Sequence, residues 1–435
     1  MHRKNREKVF FYSLIMITVL CLVNVFLVIF SFPDEINVIQ GQSQKLKDSL
    51  IFSLVLDENP RKCVNLNSSG NLASSYLLLE GNNRGKVNAS LKFLGLLPVK
   101  KVTLNVIPDI KVVPSGEAIG VKIESKGVLV VGLSSITDVN GRKCSPAADA
   151  GFEVGDKIIE IDKNQVENER DIIDYLNNRL NKKEKITFAV ERNGEKLNLS
   201  VTPVQCQEDN IYRVGLWIRD NIAGVGTLTF YDTQSKTFGA LGHGITDVDS
   251  GVLIDISKGK ILKSKIASIQ KARKTVPGEL VGIFYDSDEP YGTIDKNTSY
   301  GIYGRLNKNI SAKGSKPVSI GLNSQIKEGP AKIMTTIDGN KVEEFDIEIQ
   351  KVVRQVTSDS KSMIIKVTDP KLIDKTGGIV QGMSGSPILQ DGKLIGSITH
   401  VLVNDPTRGY GISIEWMLKE ANIDIERQMN RASGE

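Results

Sequence analysis

One serine of this sequence lies in a segment that could make it a nucleophile. Ser384 stands next to Gly385 in the run GMSGSP, residues 382–387. Glycines allow a tight turn that exposes a hydroxyl and points successive backbone N–H groups at one place, where they can stabilise an oxyanion. We therefore predict Ser384 as a nucleophile, and the N–H groups of Gly382, Met383 and Ser384 as its oxyanion hole.

A serine hydroxyl needs a base to become a good nucleophile, and this chain has few histidines to offer. They are His2, His243 and His400. His243 stands between glycines at the end of the run FGALGHGI, and the usual pKa of histidine suits a proton acceptor near neutral pH. His400 is the alternative, but its run SITH alternates as a β-strand does. We favour His243 as the base.

The third member of such a site is a carboxylate that fixes the histidine tautomer. Asp247 and Asp249 follow His243 closely in sequence, whereas Asp369 ends the apolar run SMIIKVT before a proline. A side chain four positions away on the same loop usually points elsewhere. We therefore predict Asp369, with the other two as alternatives.

The segments that must position these residues predict a mainly β protein. From residue 206 onward, short apolar runs are broken by glycines and turn signals, which is typical of a β-sandwich or barrel. A long amphipathic helix is predicted only at residues 414–429. The predicted site therefore lies on loops between β-strands.

A second compact pattern occupies residues 109–205. The run SPAADAGFEVGDKIIEI, a helical face within residues 168–180 and the hairpin turn Asn193-Gly194 together resemble a PDZ domain of the bacterial protease type. Such a domain binds an extended peptide, here a peptide or protein C-terminus, as an added strand. The alternative is a domain that only positions its neighbours. The resemblance implies a loop for the peptide's carboxylate, formed by Ala118, Ile119, Gly120 and Val121.

The N-terminal segment predicts on which side of a membrane the chain lies. Residues 9–32 carry no charge and are long enough as a helix to span a bilayer, with a basic tail at residues 1–8. The positive-inside rule then places the N-terminus in the cytoplasm and the remainder outside. A cleaved signal peptide is the alternative. Residues 33–108 are expected to be a polar tether followed by a small β region.

Charge and cysteine content exclude other classes of function. The first eight residues contribute +3 of the formal net charge of +5, so nucleic-acid binding has no support from composition. The four cysteines are scattered without a C-x-x-C pair, which argues against a structural zinc site and a disulfide framework. We predict no metal or organic cofactor.

Two levels of resemblance sharpen this prediction. GMSGSP, the strand that follows it and GYGI are similar to the chymotrypsin-like serine peptidases, although Met383 and Ser386 replace an aspartate and a glycine of the motif GDSGGP. Residues 214–251 and 367–412, together with the anchor and the PDZ pattern, resemble the stage IV sporulation protein B family of endospore-forming Firmicutes. The residues that match that family's triad are His243, Asp369 and Ser384.

The resemblance implies a role that composition alone does not. Family members are secreted from the forespore into the space facing the mother cell, and they cleave themselves near the N-terminus, here expected within residues 51–75. They then cleave a membrane-bound regulator, which allows a late mother-cell sigma factor precursor to be processed.

We expect a membrane-tethered serine endopeptidase with a single N-terminal transmembrane helix. A PDZ domain and a chymotrypsin-like double β-barrel with a C-terminal helix, residues 206–435, would follow it. One alternative is an envelope quality-control protease, in which the PDZ domain normally follows the protease domain. The other is a PDZ scaffold without catalytic activity.

Overall fold

The computed structural model describes residues 32–423, apart from 48–51, 58–62, 72–73, 179–183, 285–288, 308–315 and 354–359, together with ten positions between 12 and 30. The chain forms two compact units that divide between Ile110 and Lys111. The predicted catalytic residues and the predicted PDZ carboxylate loop all lie in the second unit.

The first unit is built from two small sheets. The four-stranded sheet has the order β1-β7-β6-β3, with β1 parallel to β7, and the three-stranded sheet has the order β2-β5-β4. The strands are β1 (Glu35–Ile39), β2 (Ser43–Lys47), β3 (Phe52–Leu56), β4 (Val64–Asn71), β5 (Ser74–Gly81), β6 (Gly85–Phe93) and β7 (Leu97–Ile107).

The structure differs here from the polar tether expected before the small β region. Most of the described residues between 35 and 71 are in strands, because runs such as EINVI and FSLVL alternate and place Val38 and Leu54 in a hydrophobic core. The predicted self-cleavage region, residues 51–75, contains β3 and β4 as well as residues outside the described part.

The predicted transmembrane helix falls on residues 9–32, most of which lie outside the described residues. No helix among the residues described is long and apolar enough to cross a bilayer. The basic tail, residues 1–8, also lies outside the described part.

The PDZ part of the second unit follows the sequence pattern closely. Asn193 and Gly194 both have positive φ angles, 52° and 84°, which confirms the predicted hairpin turn. Asp156 of the predicted run is fully buried and pairs with Arg192 at 2.6 Å. The elements from residue 111 to 213 are β8 (Lys111–Pro114), β9 (Ala118–Leu133), β10 (Ile136–Thr137), β11 (Lys143–Cys144), α1 (Pro146–Asp149), β12 (Lys157–Ile161), β13 (Asn164–Gln165), α2 (Glu169–Asn178), β14 (Ile186–Arg192), β15 (Glu195–Val201), β16 (Val204–Gln205) and β17 (Tyr212–Arg213).

A ring of paired strands follows, and β9 belongs to it. The pairings run β9-β20-β22-β23-β19-β18 and return to β9, while β8 pairs with both β18 and β24. Residues 111–114 and 118–124, expected in the PDZ domain, thus pair with strands of this first barrel or with β24. Its further strands are β18 (Leu216–Tyr231), β19 (Thr237–Ala240), β20 (Ile256–Gln270), β21 (Glu279–Phe284), β22 (Gly292–Thr298), β23 (Gly301–Leu306) and β24 (Val318–Ser319).

The second barrel is closed in the order β25-β26-β27-β30-β29-β28. The predicted C-terminal helix begins at Ile414, as expected, and ends at Glu420; residues 424–429 of the prediction lie outside the described part. The elements are a 3-10 helix (Asn323–Gln325), β25 (Gly329–Asp338), β26 (Lys341–Val352), β27 (Met363–Val367), α3 (Pro370–Thr376), β28 (Pro387–Gln390), β29 (Lys393–Leu402), β30 (Asp405–Ser413) and α4 (Ile414–Glu420). The prediction of a mainly β fold with a PDZ domain and β-barrels is confirmed.

Candidate active site

The serine loop lies between α3 and β28, and its backbone depends on two glycines. Gly382 and Gly385 both have a φ angle of +94°, which side-chain-bearing residues rarely adopt. A Cβ atom on Gly385 would lie 2.2 Å from the carbonyl oxygen of Thr227 and 2.5 Å from the amide nitrogen of Leu241. The loop is therefore pressed against β18 and against the segment that leads to His243.

Two buried threonines of β18 hold this loop. The Oγ1 atom of Thr227 donates to the carbonyl of Gly382 at 2.7 Å, and its backbone N–H donates to the carbonyl of Ser384 at 3.0 Å. Thr229 Oγ1 donates to the carbonyl of Gly385, also at 2.7 Å. Sequence reasoning missed both threonines, although their alternation in GTLTFY is visible. The two threonines thus bind three carbonyl groups of the serine loop to β18.

The predicted oxyanion hole is reduced to two donors. The N–H of Met383 donates to the carbonyl of Val380 at 3.1 Å, inside the turn, and the Met383 side chain is fully buried in the second barrel's core. The N–H groups of Gly382 and Ser384 have no acceptor among the described residues. These two groups are the ones available to an oxyanion.

The Ser384 hydroxyl is engaged with β29 in this structure. Its Oγ atom donates to the carbonyl oxygen of Thr399 at 2.7 Å, and not to an imidazole. A carbonyl cannot take the hydroxyl proton away, so this contact orients the serine without activating it. For catalysis, the hydroxyl has to turn from Thr399 towards a base.

His243 follows β19 through Leu241 and Gly242, both with positive φ angles. Its Nδ1 atom lies 2.8 Å from the carbonyl oxygen of Gly244. Because a carbonyl only accepts, Nδ1 carries the proton and Nε2 is left as the acceptor. Burial lowers the pKa of His243 below its usual value, and the bond to Gly244 acts in the opposite direction. The ring is thus held neutral in the tautomer that a base needs.

His400, the alternative base, lies beside His243. The centroids of the two rings are 4.9 Å apart and their planes are inclined by 35°. Burial, then the nearby His243 and Lys361, lower the pKa of His400 to about 4. His400 lies on β29, as its alternating run predicted, directly after Thr399, so the Ser384 contact and both histidines meet at one place.

None of the three candidate carboxylates bonds to His243 in the described part of the chain. Asp369 instead caps α3: its Oδ1 accepts the N–H groups of Lys371 at 2.9 Å and Leu372 at 3.1 Å. Asp369 and Pro370 are residue types common at the start of a helix. The structure therefore does not bring Asp369 to His243.

Asp247 and Asp249 have a different partner, Arg219 of β18. Arg219 Nη1 bonds to the buried Asp247 carboxylate, and Nη2 lies 2.9 Å from Asp249 Oδ2. Asp247 also accepts the N–H groups of Asp249 and Ser250 at 3.0 Å and 2.9 Å. These carboxylates stabilise the loop that follows His243.

The residues predicted as the PDZ carboxylate loop lie in a strand. Ala118, Ile119, Gly120 and Val121 begin β9 and are buried. They pair on one side with residues 224–227 of β18, and on the other side residues 119–121 pair with residues 261–263 of β20. The predicted loop is therefore part of the first barrel, because β9 has a neighbour on each edge.

A PDZ domain that precedes two β-barrels, with a glycine-bounded serine and a neutral histidine on their loops, defines a PDZ-containing serine peptidase. Comparison with protein families agrees: residues 210–418 match the family SpoIVB peptidase S55, and residues 118–202 match the PDZ domain. The chain is therefore a SpoIVB-like PDZ serine peptidase.

Curated relatives match only short parts of the chain. A putative zinc metalloprotease of Bartonella henselae, BH06270, is 34% identical over 94 residues, which are 22% of this chain and 25% of that protein. The metalloprotease MmpA of Caulobacter vibrioides is 41% identical over 66 residues, 15% of this chain and 16% of its own length. The chain thus spans about a quarter or less of these relatives.

Among solved structures, similarity is weak. The HtrA-type protease AlgW with a decapeptide has a TM-score of 0.28 and 13% identity, covering 50% of this chain and 58% of that chain. A structure named GrC has a TM-score of 0.23 and 12% identity, covering 46% of this chain and 88% of its own.

Proposed function

We propose that this peptidase is an endopeptidase in which Ser384 is the nucleophile and His243 the base. Nε2 of His243 takes the hydroxyl proton as Ser384 Oγ attacks the peptide carbonyl carbon, and the N–H groups of Gly382 and Ser384 stabilise the resulting oxyanion. His243 returns the proton to the leaving amine, and water then hydrolyses the acyl-enzyme.

One observation supports this role most strongly. In a loop whose carbonyls are bound by Thr227 and Thr229, the N–H groups of Gly382 and Ser384 lack acceptors among the described residues. A donor pair without a partner next to a serine hydroxyl is the arrangement that an acyl-transfer site requires.

Labelling with a fluorophosphonate probe tests the nucleophile. We expect the probe on Ser384 in the unmodified chain and none in Ser384→Ala. Ser386→Ala is the matched control, because Ser386 lies two residues away and is fully buried, so labelling should persist. A folded protein without labelling at Ser384 would favour the scaffold interpretation.

We also propose that the enzyme acts as a signal between compartments during endospore formation. Membership of the SpoIVB-like peptidases supports this role, and the uncharged segment 9–32 supports membrane attachment, with the catalytic part outside the cytoplasm, in the space between forespore and mother cell. The substrate in this proposal is a membrane-bound regulatory protein, whose cleavage allows a late mother-cell sigma factor precursor to be processed.

Incubation of the full chain with a candidate regulator in vesicles tests this substrate. We expect a defined cut by mass spectrometry with the unmodified chain and none with Ser384→Ala. Many cuts in any unfolded protein, with the folded regulator left intact, would instead indicate a quality-control protease.

Self-cleavage within residues 51–75, which would release the enzyme from the membrane, is proposed on the same ground. Ser384→Ala should retain the full-length N-terminus, and the same shortened N-terminus in both proteins would contradict self-cleavage. Adding active enzyme to the Ser384→Ala chain then shows whether one molecule can cut another.

A further inference from the structure

The PDZ sheet runs from β15 through β14 and β12 to β9, and the chain itself occupies the outer edge of β9, where a peptide could be added. Strand β12 pairs with β9 on one side, Leu129 opposite Lys157 and Val128 opposite Ile158. PDZ domains bind extended peptides as an additional strand on a sheet edge. Here the other edge of β9 carries the start of β18, antiparallel, with Leu216 opposite Leu133 and Ile218 opposite Val130.

Residues 214–220, called the groove strand below, present their side chains as a bound peptide would. Leu216 and Ile218 pack against the PDZ core together with Tyr175 and Leu176 of α2, while Trp217 between them is 65% exposed. The alternation of a strand thus directs two apolar side chains into the space beside the helix.

The groove strand also supplies a carboxylate. Asp220 is 6% exposed, and its Oδ2 atom accepts the backbone N–H of Glu169, the first residue of α2, at 2.9 Å. Its carbonyl oxygen accepts from the hydroxyl of Ser125 at 3.3 Å. The first N–H groups of a helix have no partner within the helix and favour an anionic acceptor. Asp220 thus satisfies one of them.

We propose that the PDZ groove of this protein is filled by its own groove strand, so that a foreign peptide binds only by displacing residues 214–220. The partner it fits is an extended peptide with apolar side chains at two alternate positions, followed by a carboxylate two residues further on. This assignment does not depend on the catalytic activity proposed above.

A second contact holds the groove strand in place. Arg219, whose side chain points away from the PDZ core, bonds to the carboxylates of Asp247 and Asp249. Displacement by a peptide therefore has to break the β9 ladder, the bond of Asp220 to Glu169, and these ion pairs. Most peptides cannot replace all three.

Binding of a fluorescent peptide to the full chain tests the proposal. The probe has the sequence of residues 214–220, VGLWIRD, and fluorescence anisotropy reports its binding in a Ser384→Ala background, so that it is not cut. We expect very weak binding to this protein, and about tenfold tighter binding when Asp220→Asn weakens the internal competitor's charged hydrogen bond. Replacing the probe's own Asp by Asn should cancel the gain.

Trp217→Ser is the matched control, because this side chain lies on the same strand but points to solvent. It should bind the probe as weakly as the chain with native Trp217. If the probe binds tightly, and equally tightly, to the chain with native Asp220 and to Asp220→Asn, the groove is open and the proposal is overturned.

Hydrogen exchange on the unmodified protein gives a second measurement that needs no variant. We expect fragments that cover residues 216–219 to exchange as slowly as fragments that cover residues 225–228, which pair in the first barrel. Exchange of residues 216–219 at the rate of an exposed loop would overturn the proposal, even if Asp220→Asn fails to fold.

Discussion

Gly385→Ala tests whether contact with β18 shapes the serine loop. The new Cβ atom would lie 2.2 Å from the carbonyl oxygen of Thr227 and 2.5 Å from the amide nitrogen of Leu241, both backbone atoms. Because neither atom belongs to a flexible side chain, the loop itself has to move. The movement separates the serine loop from β18.

The magnitude follows from the contacts that this movement breaks. Adopting a left-handed φ angle costs an alanine about 1–2 kcal/mol. Three hydrogen bonds join the loop to Thr227 and Thr229, and each contributes about 1 kcal/mol. We therefore expect Gly385→Ala to lower the free energy of unfolding by about 4–5 kcal/mol.

Gly392→Ala is the matched control. Gly392 lies in the β28–β29 turn with a φ angle of +75°, and nothing lies within 4 Å of the position of its Cβ atom. This variant should lose only the conformational cost, about 1–2 kcal/mol. Its serine loop stays in place, so its labelling by a fluorophosphonate should match the unmodified chain.

Two assays separate the outcomes. Thermal unfolding should show a clearly larger decrease of Tm for Gly385→Ala, at about 2 °C for each kcal/mol in a unit of this size. The rate of fluorophosphonate labelling should fall by about 100-fold or more, since a displaced oxyanion donor alone costs that much. Equal losses of stability and labelling in the two variants would refute the reasoning.

Three further predictions concern His243, Asp369 and the ion pair of Arg219. Asp369→Ala should lower the stability measured by thermal unfolding by about 1 kcal/mol, whereas Asp369→Asn should keep the native stability, because asparagine caps a helix equally well. A fall in kcat of about 10⁴ in the stable Asn variant would instead assign Asp369 to the triad. Because burial lowers the pKa of His243, the base is protonated only in acid, and kcat/KM should decrease as pH falls, with a midpoint below 6.5. His400, with a pKa of about 4, should add no second step between pH 5 and 8. A midpoint above 7 in a pH–rate profile would contradict this prediction. Arg219→Ala leaves the buried Asp247 without its cation and should lower the free energy of unfolding by about 1–3 kcal/mol, and Arg219→Lys should lower it less. An unchanged Tm in thermal unfolding would show that the ion pair is not stabilising.

Local signals predicted the parts of the fold that depend on neighbouring residues. The turn Asn193-Gly194 has positive φ angles at both positions, as its residue types require. The helix within residues 168–180 is present as α2, with Ile172 buried. The neighbouring Ile173 is apolar as well, but its side chain is 47% exposed.

Pairing between distant segments could not be predicted in the same way. Residues 118–121 are compatible with a loop or a strand, and their partners lie more than 100 residues further along the chain, at residues 224–227 and 261–263. No local pattern specifies such a partner. The serine loop was predicted for the same local reason as the turns, whereas its ties to Thr227 and Thr229 depend on β18.

Strand β18 contacts both the loop that follows His243 and the serine loop, which are far apart in sequence. Its first residues fill the PDZ groove, Arg219 binds the carboxylates that follow His243, and Thr227 holds the serine loop of the second barrel. Residues 216–227 of β18 pair along one edge with β9, and residues 228–231 pair with β19, so one continuous strand joins the PDZ groove to both loops. The positions of the base and the nucleophile are therefore coupled through this one strand, and a displaced groove strand would first affect the His243 loop, since Arg219 lies nearer to the groove than Thr227 does.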